Sequence, residues 1–140
     1  MKFPSIITLF MLGLAHGYNA LCIINISTND DKVYLGISVE NGMIRAARRP
    51  TPFEFDTAGT MKISGKNEYL GLDASGKLVV TSKPQGKFER KARSGFALNA
   101  LVFNGIREYQ FCEDYTIGLN STCSGARKAT ISIENVPMIG

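Results

Sequence analysis

The residues that come nearest to catalysis are three acids near one cysteine: Glu108, Glu113 and Asp114 around Cys112. Two carboxylates flanking a bond are what a glycoside hydrolase needs, one to give a proton and one to attack or to activate water. Glu113 and Asp114 are adjacent, and adjacent residues on a strand face opposite sides. The pair therefore reads as a charged turn. Serine and cysteine nucleophiles need a base within reach. The single histidine, His16, lies in a leader that processing would remove, so Ser–His and Cys–His schemes are excluded for the mature chain. There is no CxxC pair, which together with the missing histidine argues against a zinc site. No phosphate loop, EF-hand or dinucleotide fingerprint occurs. The expectation is a protein with no catalytic residue, no metal and no cofactor.

Other residue types carry modification and cross-linking chemistry. Cys22, Cys112 and Cys123 are the three cysteines. "FCEDYTIGLNSTC" reads as strand, turn, strand, so Cys112 and Cys123 can close a short loop. The alternative ties Cys22 to Cys112 or Cys123. With Cys112–Cys123 paired, Cys22 is the odd thiol, free or bonded to another molecule. It lies close to the expected cleavage point, where a reachable position is expected. Asn25-Ile-Ser27 and Asn120-Ser-Thr122 are N-glycosylation sequons, expected on the surface of a secreted protein. Arg45, Arg48 and Arg49 cluster, as do Lys87, Arg90, Lys91 and Arg93. The first set is the candidate polyanion contact. No aromatic residues interleave them, so no nucleic-acid stacking platform is expected.

The address comes from the N-terminus. Lys2 precedes an apolar run from Ile6 to Leu14, too short for the roughly 20 residues that span a bilayer. Ala15 and Gly17 are small residues suited to cleavage after Gly17. Residues 1–17 are expected to be a signal peptide and 18–140 a single extracellular domain. The C-terminus, "ISIENVPMIG", carries no lipid-anchor tail, so no membrane anchor is expected. Losing Lys2 from the 16 Lys and Arg leaves 15 against 12 Asp and Glu. That mild basicity suits a polysaccharide or wall surface, not a nucleic acid.

The elements that must position these residues are short strands. Apolar runs punctuated by Gly, Asn, Asp and Pro predict strands at 33–38, 43–47, 52–55, 60–63, 69–72, 78–81, 96–98, 101–103, 109–112, 116–119 and 130–134. "ENG", "DASG" and "NG" at 40–42, 73–76 and 104–105 predict hairpin turns. "VYLGISVENGMI" and "EYLGLDASGKLVV" repeat one plan: Tyr34-Leu-Gly-Ile37 matches Tyr69-Leu-Gly-Leu72, and Pro50 matches Pro84. A degenerate third copy is expected from Tyr115. Such units predict a single compact all-β domain, β-trefoil-like, with a β-sandwich or Greek-key barrel as the alternative. Tyr34, Leu35, Ile37, Tyr69, Leu70 and Leu72 are expected in or beside the core.

Gly95-Phe96, Leu98, Leu101, Phe103, Phe111-Cys112, Ile117, Cys123 and Ile131–Ile133 form a further pattern. With "VYLGISVENG" and Cys22 near the mature start, it resembles fungal cell-wall proteins of the PhiA type and the C-terminal domain of PIR-type mannoproteins. The resemblance spans most of the mature chain. It implies a non-enzymatic, glycosylated component of the wall or extracellular matrix, with wall polysaccharide or wall proteins as partners and Cys22 open to a disulfide-linked partner. The Gln-containing repeats through which PIR-type proteins attach to glucan are absent. A secreted β-trefoil-like binding module for a glycan or protein ligand, acting as an effector or inhibitor, is the alternative.

Overall fold

The computed structural model describes residues 20–85 and 87–136. The expected leader at 1–17 lies outside them. Twelve strands follow in order: β1 (Ala20–Thr28), β2 (Tyr34–Glu40), β3 (Met43–Ala47), β4 (Phe53–Phe55), β5 (Met61–Ile63), β6 (Tyr69–Leu72), β7 (Leu78–Thr81), β8 (Phe88–Lys91), β9 (Asn99–Phe103), β10 (Tyr109–Phe111), β11 (Ile117–Gly118) and β12 (Arg127–Asn135). The domain is all-β, and the twelve strands belong to one antiparallel sheet rather than to the two sheets of a sandwich.

The longest strands are the first and the last, and they pair with each other. Seven residue pairs join β1 to β12, from Cys22 opposite Asn135 to Thr28 opposite Ala129. Side chains alternate along each strand. Cys22, Ile24 and Ile26 thus share the inner face with Ala129, Ile131 and Ile133, and all are buried. Ile24 faces Ile133 and Ile26 faces Ile131. Each fully buried isoleucine contributes roughly 1.5–3 kcal/mol of transfer free energy. Phe53, Met61, Leu70, Leu78, Phe88 and Leu101 complete the same cluster from β4 to β7 and the β8–β9 hairpin.

Ladders β4–β5, β1–β4, β1–β12, β9–β12 and β8–β9 make an incomplete ring. No ladder joins β5 to β8 among the described residues. The Phe88 N–H donates to the Gly59 carbonyl at 2.8 Å across that gap. Three hairpins leave the ring: β2–β3, β6–β7 and β10–β11. The third therefore begins at Tyr109, the counterpart of Tyr34 and Tyr69. Tyr115, where the third copy was expected to start, sits in the turn of that hairpin with φ 68°.

The repeated glycines have a packing cause. A Cβ on Gly36 would lie 2.7 Å from the Pro50 nitrogen, and one on Gly71 would lie 2.8 Å from Thr81 Cγ2 and 2.9 Å from Gln85 Oε1. In both hairpins the outgoing chain comes close to the first strand at the glycine, through Pro50 in the first and Gln85 in the second.

Several expectations are corrected. Tyr34 is 62% exposed and outside the core. Residues 96–98 are not a strand: Phe96 closes a turn onto the Arg93 carbonyl, and its ring lies 3.8 Å beneath the Arg93 guanidinium. Strands β1 and β8 were not expected at all.

Gly36→Ala is expected to lower unfolding stability by about 1–3 kcal/mol, because a backbone and a proline ring must give way. Urea denaturation measures this. An unchanged midpoint would show that the crossing is not tight.

Candidate functional site

Three loops meet at one end of the sheet. The β6–β7 turn spans Asp73–Lys77, the β10–β11 turn spans Cys112–Thr116, and the β11–β12 connection spans Leu119–Ala126. Backbone bonds hold them together. The Leu119 N–H donates to the Gly76 carbonyl at 2.7 Å, and the Glu113 N–H to the Ser124 carbonyl at 3.0 Å. The Cys112–Cys123 disulfide, with Cα atoms 5.7 Å apart, joins the second loop to the third. The sequence expectation for that pair holds.

Between these loops is an open cleft of about 550 Å³. It is lined by Ser75 and Lys77, by Glu113, Asp114 and Thr116, and by Ser121, Thr122, Cys123 and Ser124. The volume falls within the ~300–1,000 Å³ usual for small-ligand sites. Seven of its nine lining residues carry a hydroxyl or a carboxyl group. Glu113 and Asp114 lie in a turn, outside the strand geometry that would separate them, and both face the cleft.

Short polar side chains fix the turns. Asp114 Oδ1 accepts from the Thr116 N–H at 3.1 Å and from the Thr116 hydroxyl. Asp73 Oδ1 accepts from the Ser75 hydroxyl at 2.6 Å, the Ser75 N–H at 2.9 Å and the Lys77 N–H at 3.0 Å. An aspartate that binds the backbone two residues on makes its own turn. The Thr116 hydroxyl, then its N–H, hold the Asp114 carboxyl below the usual carboxylate range, with Lys77 adding to the effect. The Ser75 hydroxyl, then the Lys77 N–H, do the same for Asp73. Glu113 Oε2 accepts from the Ser124 hydroxyl at 3.2 Å. The Ser121 N–H donates to Gln110 Oε1 at 3.0 Å. The cleft is therefore ordered by its own hydrogen bonds, with one oxygen of Asp114 left free of turn contacts.

Only some expected site residues gather here. Asn120 is exposed, in a left-handed conformation (φ 53°), and the rest of its sequon, Ser121 and Thr122, lines the cleft. Arg45 reaches the rim, its guanidinium donating to the Asp114 carbonyl at 3.2 Å, so it is committed rather than free. Arg48 and Arg49 are exposed in the β3–β4 connection. The second basic cluster is also engaged: Arg90 bonds Asn135 and lies 5.5 Å from the Phe55 ring, and Lys91 pairs with Glu89 at 3.8 Å.

Two expectations on the N-terminal segment are corrected. Cys22 is not flexible or reachable: it is 0% exposed on the inner face of β1. Burial pushes its thiol up to about 11, against the opposing pull of Arg90. Asn25 is 7% exposed, flanked by Ser132 on one side and Gly36 on the other, so its sequon is not on the surface. Both were misplaced because the strand that holds them was read as a tail. The hydroxyls of the cleft carried no sequence signal beyond turn propensity.

Comparison with protein-family models, with curated proteins and with solved structures finds no match.

Replacing Cys112 and Cys123 by serine is expected to cost about 3 kcal/mol in the chain-entropy account of a short loop; thermal unfolding with and without the pair reads it. Cys22 is expected to resist iodoacetamide in the native protein and to react on denaturation, as a buried neutral thiol should. Rapid native labelling would contradict its burial.

Proposed function

We propose that this chain is a secreted, non-enzymatic saccharide-binding component of a cell wall or extracellular matrix, retained through the cleft between its hairpins. The observation that carries the reading is the lining of that cleft. Sugars offer paired hydroxyls, and the hydroxyl and carboxyl groups of the lining offer the matching acceptors and donors. Hydrogen bonds to charged groups contribute about 1.5–3 kcal/mol each, roughly twice the neutral kind. Lys77 against Glu113 and Asp114 leaves the lining one negative charge in excess, which disfavours a polyanion there and favours a neutral polyol. A pre-ordered site loses less entropy on binding, and the disulfide and the aspartate turns supply that order.

The non-enzymatic part rests on the state of the acids. Asp114 is held ionised with one oxygen committed to Thr116. It can accept hydrogen bonds but cannot be the proton donor that a glycosidase also needs. The burial of Cys22 argues that retention is non-covalent. The resemblance to PhiA-type and PIR-type proteins supports the address. The fold within the all-β class is proposed to be a β-trefoil: three hairpins stand on an incomplete ring of β1, β4, β5, β8, β9 and β12.

Laminari-oligosaccharide and chitin-oligosaccharide isotherms test the reading. Glu113→Gln is expected to weaken binding of the preferred sugar by about tenfold or more, the loss of one charge-assisted bond, with little change in melting temperature. Wild-type protein that binds neither sugar, and stays in the supernatant over insoluble wall, would contradict the proposal.

Acid should act in one direction. A depressed carboxyl stabilises the fold fully above its ordinary value, 3.8 for Asp73 and Asp114, and that stabilisation is lost as pH falls through the lower folded value. Binding is therefore expected to hold from neutral pH to about 4 and to fall below it as the two turns loosen. A loss already complete near pH 6 would point to other groups.

A further inference from the structure

Two sequons lie in opposite environments. Asn25 is in the middle of β1, and its side chain is buried, at 7% exposure. A glycan there would have to push aside whatever packs over that face of the strand. Asn120 is exposed at the end of β11, between buried Leu119 and half-buried Ser121. The peptide groups beside it are fixed, since Leu119 N–H is held by the Gly76 carbonyl and Ser121 N–H by Gln110 Oε1. Its side chain is thus carried on a rigid rim, and the next two residues of the sequon are cleft wall.

We propose that Asn120 alone carries an N-linked glycan in the folded protein, and that its first sugars stand across the cleft and compete with free saccharide. This rests on the saccharide reading above. Transfer joins C1 of an oligosaccharide to Asn120 Nδ2. The C1–oxygen bond to a lipid pyrophosphate donor breaks, the amide nitrogen gives up a proton, and lipid pyrophosphate leaves. Transfer takes place on the unfolded or folding chain, so Asn25 is also offered. A chain modified at Asn25 cannot bury that side chain as the fold requires and does not reach the folded pool.

The covering follows from reach and chemistry. A sugar bonded to Asn120 begins at the rim, two residues or fewer from Ser121 and Thr122. The lining that suits a free saccharide suits the attached one equally. An attached ligand acts at the high effective concentration set by its short tether. The glycan then sets how strongly the cleft takes other sugars, and trimming it opens the site.

The experiment uses the full chain secreted from a glycosylating eukaryotic host. Peptide mass mapping of the folded, secreted pool should show Asn120 occupied and Asn25 bare. Asn25 occupied in folded protein, or Asn120 bare, overturns the assignment. Laminari-oligosaccharide binding is then compared for three forms: intact, trimmed of the whole N-linked glycan by a peptide N-glycosidase, and N120G. Glycine keeps the left-handed turn at that position. The trimmed and N120G forms should bind about tenfold tighter or more, the scale expected when a tethered competitor is removed. Equal binding by all three overturns the gating and leaves the cleft as a sugar site. No binding by any form overturns the cleft reading itself and the gating with it. The mass map decides occupancy in either case.

Discussion

The pairing of β1 with β12 is the constraint on which the rest of the molecule depends. It joins the first described strand to the last through seven residue pairs. β1 also pairs with β2 and β4, and β12 with β9 and β10. These two strands are therefore the hubs from which the hairpins are hung. Their inner faces are isoleucine against isoleucine, and β-branched side chains pack well on a pleated surface. A ladder that joins the two ends of a chain must await closure of nearly the whole loop, so its entropy cost is met late in folding. Cys22, expected to be reachable, and Asn25, expected on the surface, are both in this ladder. Their chemistry is suppressed because the hub has no room for it.

Aspartates do the second share of the ordering. Asp30, Asp56, Asp73 and Asp114 each accept hydrogen bonds from backbone or hydroxyl donors two to four residues on. Asp30 also holds Arg127, its Oδ2 accepting from the guanidinium at 2.9 Å, which ties the β1–β2 turn to the start of β12. At Asp30, Asp73 and Asp114 the same device that shapes the turn also depresses the acid. Two such turns, at Asp73 and Asp114, face each other across the cleft, so its electrostatics are a by-product of its architecture. One oxygen of Asp114 holds the turn and the other is left free of turn contacts, so the same side chain shapes the cleft and faces it.

Much of the fold was legible. Hairpins with glycine or asparagine at positive φ, as at Asn41-Gly42 and Asn104-Gly105, announce themselves because few other residues tolerate that conformation. Strands β3, β6 and β7 are bounded as the apolar runs predict. β1 was hidden because "ALCIINIST" continues the apolar character of the leader, and its periodicity is blurred by Ile23. β8 was hidden because "FERK" carries one core residue, Phe88, among three charges. Phe96 misled in the opposite sense: an aromatic beside a glycine read as a strand, whereas Gly95 at φ 79° turns the chain and Arg93 covers the ring. The cleft was illegible for a plainer reason. Its serines and threonines come from one loop at Ser75 and from two loops about forty residues further on, and only the convergence of the hairpins brings them together. The cysteine spacing showed where one of those loops closes but not what it faces.

The central claim is that this convergence makes a saccharide site. Its most direct test is a titration of isotope-labelled protein with laminari-oligosaccharide and chitin-oligosaccharide, followed residue by residue through amide NMR shifts. The account predicts saturable shifts concentrated at Ser75, Lys77, Glu113, Asp114 and Ser121–Ser124, with the β1–β12 ladder unmoved. Shifts confined to Arg48 and Arg49, or none at all with either sugar, would contradict it.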